Sequence, residues 1–334
     1  MSAVSKPRRV TIDDVARSAG VSRQTVSRAI NDKPEIDPET RQRVLNVARA
    51  MGYRPSRFAR GMVSQGVTTL GLVIADVLNP FFPEVVAGVM EAADELGWQV
   101  AVYSTGHATE RESSVADTVA EHVDACVAFM LDPEAMDRIR ASGIPFVLLD
   151  HDAPPPSVGG IRIDFEAGIR QAIGHLVTRG HSRIAMLDDR ANTDARLQHT
   201  RHGLFLKVAA EQGLSMDESC VLPAENSLDG GAEAMDRLLA ERPETTAVVA
   251  YNDLIAIGAM RKALAQGLSV PGDIAFVGCD GLALGELVDP QLTTLHIDKQ
   301  HLGRAAVRQV EALMSKKRPH ETVIVPNLVI RASA

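Results

Sequence analysis

Two hydrophobic patterns divide the chain. From Thr11 to Gly52 apolar residues recur at the three- and four-residue spacing of short amphipathic helices. From residue 67 onward, short apolar runs alternate with helical segments, a rhythm typical of parallel α/β lobes. The runs predict strands at 69–75, 99–104, 125–131, 145–149, 183–187, 247–250 and 274–277. We therefore expect a small all-helical domain followed by a larger α/β domain.

The first two predicted helices are typical of a helix-turn-helix. Thr11 and Asp14 fit a capping box at the start of the first helix, and Gly20 can supply the positive φ of a tight turn. Ser22 is a suitable N-cap for the second helix. Its outward face carries Arg23, Gln24, Ser27 and Arg28. Because Arg can bond guanine and Gln can bond adenine bidentately, this face favours reading of the major groove over the alternative, a merely solvated surface.

A third helix and a short linker follow. Asp37 and Pro38 are suited to begin the helix, which ends at Gly52. The segment 56–64 has a helical pattern of about two turns, and isolated helices shorter than roughly 12 residues are marginal in water. We expect a helix-turn-helix DNA-binding domain over 1–55 and a hinge helix over 56–66 that folds when two copies meet on DNA.

The distribution of charge supports the same division. The net charge is −8, yet residues 1–66 hold thirteen Lys and Arg against six Asp and Glu, so a basic head precedes an acidic body. A membrane span needs roughly 18 apolar residues, and neither such a stretch nor a signal peptide is recognisable. We therefore expect a cytoplasmic protein. The three separated cysteines predict reduced core residues rather than disulfides.

Polar residues follow the predicted strands of the larger domain. Asp76, Asp150 and Asn252 each come directly or closely after an apolar run. Ligands of parallel sheets bind at the carboxyl ends of the strands, where these side chains would converge. Carboxylates, amides and a guanidinium can satisfy the hydroxyl groups of a buried sugar. The pattern predicts a sugar-like effector, and the absence of recognisable phosphate-loop, nucleophile-elbow or zinc motifs argues against an enzyme, a cofactor and a metal.

The run from Thr11 to Arg28, followed by Tyr53-Arg-Pro-Ser-Arg-Phe-Ala-Arg60, resembles the lactose-repressor (LacI/GalR) family. Asn79-Pro-Phe-Phe82, Asn252-Asp253, Gly278-Cys-Asp280 and Leu292-Thr-Thr294 fall in the order of that family, so the resemblance covers essentially the whole chain. It implies an all-α helix-turn-helix head with a hinge helix, followed by an α/β two-lobed domain like the periplasmic binding proteins. It also implies a homodimer on double-stranded DNA with a pseudo-palindromic operator.

The resemblance assigns roles to individual residues. Arg23, Gln24 and Arg28 would read bases, while Ser22, Thr25 and Ser27 would support phosphate contacts. Met62 occupies the position at which the family usually inserts a leucine into the minor groove. The remaining DNA-binding residues implied are Thr11, Tyr53, Arg57 and Arg60. The implied effector-binding residues are Asn79, Phe81, Phe82, Asp150, Arg201, Asn252 and Asp280.

The resemblance also predicts how the lobes divide the chain. Crossovers are expected near 161–164, 290–294 and 321–323 in an effector-binding and dimerisation domain over 67–334. The N-lobe would then hold about 68–162 and 294–320, and the C-lobe about 163–290 and 322–331. The predicted function is a repressor of catabolic genes controlled by a sugar-like effector between the lobes. A ligand-activated regulator is the alternative, and a sugar-binding protein or an α/β enzyme are further ones.

Overall fold

The computed structural model describes residues 11–30, 36–51, 67–106, 108–151, 154–155, 157–190, 200–318 and 321–334. The chain forms two compact units, Met1–Thr69 with Gly97–Gln99 and Leu70–Leu96 with Val100–Ala334. In the described ranges, every helix is too short or too polar to cross a membrane.

The described residues of the N-terminal unit form three helices: α1 (Ile12–Ala19), α2 (Arg23–Ile30) and α3 (Pro38–Ala50). Their buried faces share a small core made of Val15, Ala16, Ala19, Val26, Ala29, Val44 and Ala48. Gly20 follows α1 with φ 68°, the left-handed conformation that the sequence predicted for the turn. The backbone N–H of Thr40 donates to the carboxylate of Asp37 at the start of α3. Short helices are thus fixed by caps as well as by apolar contacts.

The second unit contains twelve described strands in two sheets. In chain order they are β1 (Thr69–Ile74), β2 (Gln99–Ser104), β3 (Ala125–Ala128), β4 (Phe146–Leu149), β5 (Gly159–Ile163), β6 (Ile184–Asp189), β7 (Val221–Ala224), β8 (Ala247–Ala250), β9 (Ala275–Asp280), β10 (Thr293–His296), β11 (Thr322–Ile324) and β12 (Asn327–Val329). The first sheet has the order β11-β5-β4-β3-β1-β2 and the second β12-β10-β9-β8-β6-β7. β12 runs antiparallel to β10, whereas the pairs β10–β9, β9–β8, β8–β6 and β6–β7 are parallel.

Helices connect these strands: α4 (Phe81–Glu95), α5 (Thr109–His122), α6 (Pro133–Ser142), α7 (Phe165–Thr178), α8 (Arg201–Glu211), α9 (Leu228–Glu241), α10 (Asp253–Ala265), α11 (Leu284–Leu287) and α12 (Lys299–Met314). α12 packs on α4 and on β3, β4 and β5 of the first sheet. α9 packs on α10 beside the second sheet. Each sheet with its helices forms one lobe, in the layered arrangement of α/β proteins.

Two of the lobe crossovers lie a few residues later in the chain than their predicted positions. Thr293–His296, expected at the start of an N-lobe segment, forms β10 in the second sheet and pairs with β9. Its threonines are fully buried because their hydroxyls have partners, Thr294 donating to Asp253 and Thr293 accepting from the N–H of Arg331. Thr322–Ile324, expected in the C-lobe, pairs with β5 of the first sheet. The chain therefore changes lobes at 297–298 and 325–326, and also between β5 and α7.

The helix pairs of both lobes approach closely at glycines. A Cβ atom at Gly88 of α4 would overlap the carbonyl group of Gln300 in α12. In the C-lobe, a Cβ at Gly258 of α10 would overlap the carbonyl oxygen of Leu228 in α9, and one at Gly231 would overlap that of Ile255. Because the obstructing atoms belong to the backbone, rotation of a side chain cannot relieve the overlap.

Candidate functional site

The second helix of the head presents a polar surface. Arg23, Gln24 and Arg28 are exposed, while Val26 and Ala29 on the other side are buried in the helical core. Ser27 is half-buried. An exposed set of two guanidinium groups and an amide provides the donors and acceptors that base edges recognise.

Hydroxyl groups fix the start of this helix. The Ser22 hydroxyl accepts a hydrogen bond from the N–H of Thr25 at 3.1 Å, and the two hydroxyls lie 2.9 Å apart. At α1, Thr11 accepts from the N–H of Asp14, whose carboxylate accepts from the N–H of Thr11 at 2.9 Å. Thr11 is therefore a capping residue in the structure. Tyr53, Arg57, Arg60 and Met62, and the expected hinge helix over 56–66, lie outside the described residues.

Arg201 is the centre of the candidate site in the second unit. It is the first residue of α8, and its guanidinium carbon lies 3.8 Å from the ring centre of Phe165 and 3.9 Å from that of Tyr251. The guanidinium also donates to the carbonyl oxygen of Tyr251. Two aromatic faces and a carbonyl hold the planar group in one orientation, which is an arrangement that suits recognition of a ligand.

Carboxylates from both lobes act on this guanidinium. Burial opposes its charge, but Tyr251, Cys279, Asp280 and Asp150 favour it, and the pKa of Arg201 is raised above its usual value. Asp150 follows β4 of the first sheet with φ 55°, and Asp280 ends β9 of the second with φ 122°. The structure thus brings three of the predicted effector-binding residues close enough for electrostatic interaction.

Asp280 is a buried carboxylate with unused hydrogen-bonding capacity. Its side chain is 4% exposed and, within the described part of the chain, its carboxylate makes no hydrogen bond. Burial and the neighbouring carboxylate of Asp253 raise its pKa well above the usual range. The Asp253 carboxylate, in contrast, accepts from the hydroxyl of Thr294 and the N–H of Leu282, both at 2.6 Å. Asp253 therefore holds the backbone near the site, whereas the Asp280 carboxyl group has oxygens that make no hydrogen bond to the described residues.

A chain of amide hydrogen bonds borders the same edge of the second sheet. Asn252 caps α10 by accepting from the N–H of Ile255 at 3.0 Å, and its amide donates to Asn226 at 2.6 Å. Asn226 donates in turn to the carboxylate of Asp189 at 2.9 Å. The sequence prediction missed Asn226, although its position two residues after a strand and directly before the capping residue Ser227 was a usable signal.

A further carboxylate, that of the strand-end residue Asp188, interacts with Arg201 although it is not among the predicted effector-binding residues. Asp188 in β6 is fully buried, and neither of its oxygens has a hydrogen-bond partner among the described residues. Burial raises its pKa to about 6, opposed by the nearby charges of Arg201 and His202. His202 is itself buried, with Nε2 2.5 Å from the carboxylate of Glu218. In the described ranges, no three His, Cys, Asp or Glu side chains are placed to hold a metal ion.

The remaining predicted effector-binding residues mainly contact other residues of the same lobe. The amide oxygen of Asn79 accepts from the N–H of Phe81 at 3.0 Å, so the residue stabilises the start of α4. Phe81 and Phe82 are each 7% exposed and pack edge to face with Phe129, with ring centres 5.3 to 6.0 Å apart. These two rings can offer a ligand little more than an edge.

Two regions of the chain match known families. Residues 11–56 match bacterial regulatory proteins of the lacI family, and residues 173–334 match the periplasmic binding protein-like domain. The chain is 32% identical to the HTH-type transcriptional regulator DegA of Bacillus subtilis over 97% of this chain and 98% of DegA.

Solved structures with similar folds include two regulators with bound molecules. The transcriptional regulator CelR in complex with cellobiose has a TM-score of 0.72 and 29% identity, covering 98% of this chain and all of the other. A lac repressor dimer bound to operator and the anti-inducer ONPF has a TM-score of 0.72 and 28% identity, covering 98% and 99% of the two chains.

Proposed function

Because this chain belongs to the lacI family of bacterial regulatory proteins and is a DNA-binding transcriptional regulator, we propose that it is a cytoplasmic repressor controlled by a small sugar-like effector. The effector binds between the two lobes of the second unit, at the carboxyl ends of their strands. Its binding releases the operator. A regulator that the effector activates is the alternative, and the measurements below distinguish the two.

The observation that carries the effector proposal is the grouping around Arg201. A guanidinium held between two rings, a buried carboxylate with no hydrogen bond and a carboxylate from the other lobe can each bind a different hydroxyl of one sugar. Such a ligand would donate a hydrogen bond to the buried Asp280 carboxylate, which accepts none from the described residues. The similar regulator CelR was solved with cellobiose, which supports a carbohydrate here. Asn252 and Asp150 are proposed as further contacts with the effector. Phe81, Phe82 and Asn79 are proposed to lie at the edge of the effector site.

The effector class can be tested by thermal unfolding with a panel of sugars, sugar acids and nucleobases. A ligand present at 100 times its dissociation constant adds about 2.7 kcal/mol of stability, which gives a readily measured shift. The compound that shifts the transition is then added to a complex with operator DNA. Release of DNA supports the repressor proposal, tighter binding supports the ligand-activated alternative, and a shift by nucleobases alone contradicts a sugar effector.

Replacing Asp280 with asparagine is expected to weaken effector binding by about 1–3 kcal/mol, because one carboxyl oxygen becomes an amide NH2 group and a buried ligand hydroxyl would lose its partner. Operator affinity without effector should stay the same, since Asp280 lies in the second unit. Calorimetric titration measures the first quantity and fluorescence anisotropy the second. The matched control is Asp229→Asn, an exposed carboxylate in α9 of the same lobe. Equal effector affinities for wild type and Asp280→Asn would exclude the carboxylate from the site.

For the head, we propose that Arg23, Gln24 and Arg28 read base edges in the major groove. Ser22, Thr25, Ser27 and Thr11 support phosphate contacts and helix starts, and Tyr53, Arg57, Arg60 and Met62 contact DNA from the segment that follows. Two copies of the chain bind a pseudo-palindrome, because a single helix-turn-helix reads one half-site. The lac repressor, which is similar over 98% of this chain, was solved as a dimer on its operator, which supports this assembly.

Replacing Arg28 with alanine is expected to cost about 1–3 kcal/mol of operator affinity and to relax the sequence preference at one base pair of each half-site. The operator is first selected from random-sequence DNA, and affinities are then measured on the selected site and its single-base variants. Arg28→Lys is the matched control, because it keeps the charge but cannot make the same bidentate contact. If both variants bind every site as the wild type does, Arg28 reads no base.

A further inference from the structure

Lys299 is a fully buried cation that the effector proposal leaves without a role. It is the first residue of α12, and its ammonium donates to the carbonyl oxygen of Asp280 at 2.6 Å. The carbonyl oxygens of Ile297 and Gly281 lie 3.3 and 3.4 Å away, and the carboxylate of Glu84 lies 3.5 Å away. An ammonium has three N–H groups and no acceptor, so the three carbonyl oxygens match its bonding capacity, and the Glu84 carboxylate adds an ion pair.

These partners belong to different lobes. Asp280 and Gly281 end β9 of the second sheet, whereas Glu84 lies on α4, which packs with α12 in the first lobe. Ile297 lies in the crossover between β10 and α12. The ammonium therefore contacts both lobes at a point where the chain passes from one to the other. Any movement of one lobe relative to the other changes its distance to one set of oxygens.

The carbonyl groups around Lys299 also belong to an unusual turn. Asp280 has φ 122° and Gly281 has φ 69°, two successive positive values of which the first is strained for a residue with a side chain. The N–H of Gly281 donates to Thr294 at 3.2 Å and that of Leu282 donates to Asp253, so residues of the second lobe bind the N–H groups of the turn. Lys299 binds the carbonyl oxygens of the same turn. Without the ammonium, the carbonyl oxygen of Asp280 would keep only the longer hydrogen bond from the N–H of Ile297, at 3.4 Å.

We propose that Lys299 is a positioning residue that couples the effector site to the arrangement of the lobes. It fixes the backbone of Asp280, whose carboxylate is the proposed effector contact, and it shares its charge between that backbone and Glu84 of the other lobe. Effector bound at Asp280 alters the turn. The distances from the Lys299 ammonium to the oxygens of the two lobes change with it. The role of the effector in this inference rests on the function proposed above, whereas the fixing of the turn does not.

Two variants test the two halves of the inference, and the chain offers a matched control. Lys299→Met removes the ammonium at similar volume, and Glu84→Gln removes the first-lobe carboxylate while leaving Lys299 in place. Glu91→Gln is the control, because Glu91 of α4 pairs with Arg304 of α12 at 3.0 Å, within one lobe and apart from the turn. Glu84 is 41% exposed, so its variant is expected to fold even if Lys299→Met does not.

The first measurement is amide hydrogen exchange without any ligand. Lys299→Met is expected to increase exchange of the amides of Gly281, Leu282 and Ile297 roughly tenfold or more relative to wild type and Glu91→Gln, because the turn opens locally. If Lys299→Met does not fold, Lys299→Gln, which keeps two donors, is measured in its place and a smaller increase is expected. Unchanged exchange at these amides overturns the inference, whatever the effector is.

The second measurement is the linkage between effector and operator, with cellobiose as the probe. The ratio of operator affinities with and without the sugar typically lies between about 5 and 150 for coupled sites. Glu84→Gln is expected to reduce the ratio at least threefold while its affinity for cellobiose stays within twofold of wild type, and Glu91→Gln should behave as wild type. If the ratio of operator affinities for Glu84→Gln equals that of wild type, the proposed coupling is overturned. If wild-type protein does not bind cellobiose, the sugar that shifts thermal unfolding in the panel replaces it as the probe. If no sugar in the panel binds, the proposed effector class has failed, and hydrogen exchange alone decides the role of Lys299.

Discussion

Gly258→Ala is expected to lower the free energy of unfolding of the second unit by about 3 kcal/mol, the upper end of the usual cost of overpacking. Alanine is worth about 1 kcal/mol more than glycine inside a helix, so propensity alone predicts the opposite sign. The steric term should win, because the new methyl group would overlap the carbonyl oxygen of Leu228 and helices α9 and α10 would have to separate. Urea unfolding followed by far-UV circular dichroism measures the change.

Gly174→Ala is the matched control for this substitution. Gly174 lies in α7 of the same lobe, and a Cβ there would approach the side-chain amide of Gln212 at 3.5 Å, an ordinary contact. The control variant should therefore be more stable than wild type by up to about 1 kcal/mol. If both variants shift stability in the same direction, the close approach of α9 and α10 does not limit residue size at position 258.

Asp188→Asn is expected to stabilise the protein at neutral pH and to leave stability nearly unchanged in acid. The pKa of Asp188 rises from 3.8 to about 6 on folding because the carboxylate is buried, so the folded state binds more protons than the unfolded state between these values. Stability of the wild type thus falls as pH increases from about 4 to 6. The rise in the pKa of Asp188 from 3.8 to about 6 corresponds to about 3 kcal/mol, which the variant should recover above pH 6.

The measurement is urea unfolding of wild type and variant at several pH values between 3.5 and 8. Asp217→Asn provides a control of opposite sign, because hydrogen bonds from Ser219 lower the pKa of Asp217 in the folded protein. That variant should lose stability at neutral pH and match the wild type in acid. A difference between wild type and Asp188→Asn that does not vary with pH would mean that Asp188 has a partner in solution.

Local features of the fold could be predicted from the sequence because their causes are local. The capping residues Thr11 and Ser22 and the left-handed Gly20 each act within a few residues of their own position. The general order of strands and helices follows from hydrophobic periodicity. The crossover after β10 could not be placed in this way, because Thr293 and Thr294 are buried through partners 38 to 41 residues away. A sequence pattern gives no information on such partners.

The candidate site shows the same limit. Asp280 and Arg201 were predicted from strand ends and from family resemblance, but the rings of Phe165 and Tyr251 that hold the guanidinium come from separate parts of the chain. Lys299 was missed because a lysine is almost never fully buried, and an isolated lysine at a helix start is ordinarily solvated. Burial of a charged group depends on which oxygens the tertiary fold brings to it, as with the carbonyl groups around Lys299.

The path of the chain between the lobes has a consequence during synthesis on the ribosome. β5 is complete at Ile163, yet α12, which covers β3 to β5, and the edge strand β11 end only at Met314 and Ile324. At 5–20 residues per second, about 160 further residues take roughly 8 to 32 seconds to emerge. Throughout that interval the nascent first sheet has an open edge and an uncovered apolar face. We expect the chain to need chaperone protection during translation, and a pause in translation before residue 299 to favour aggregation.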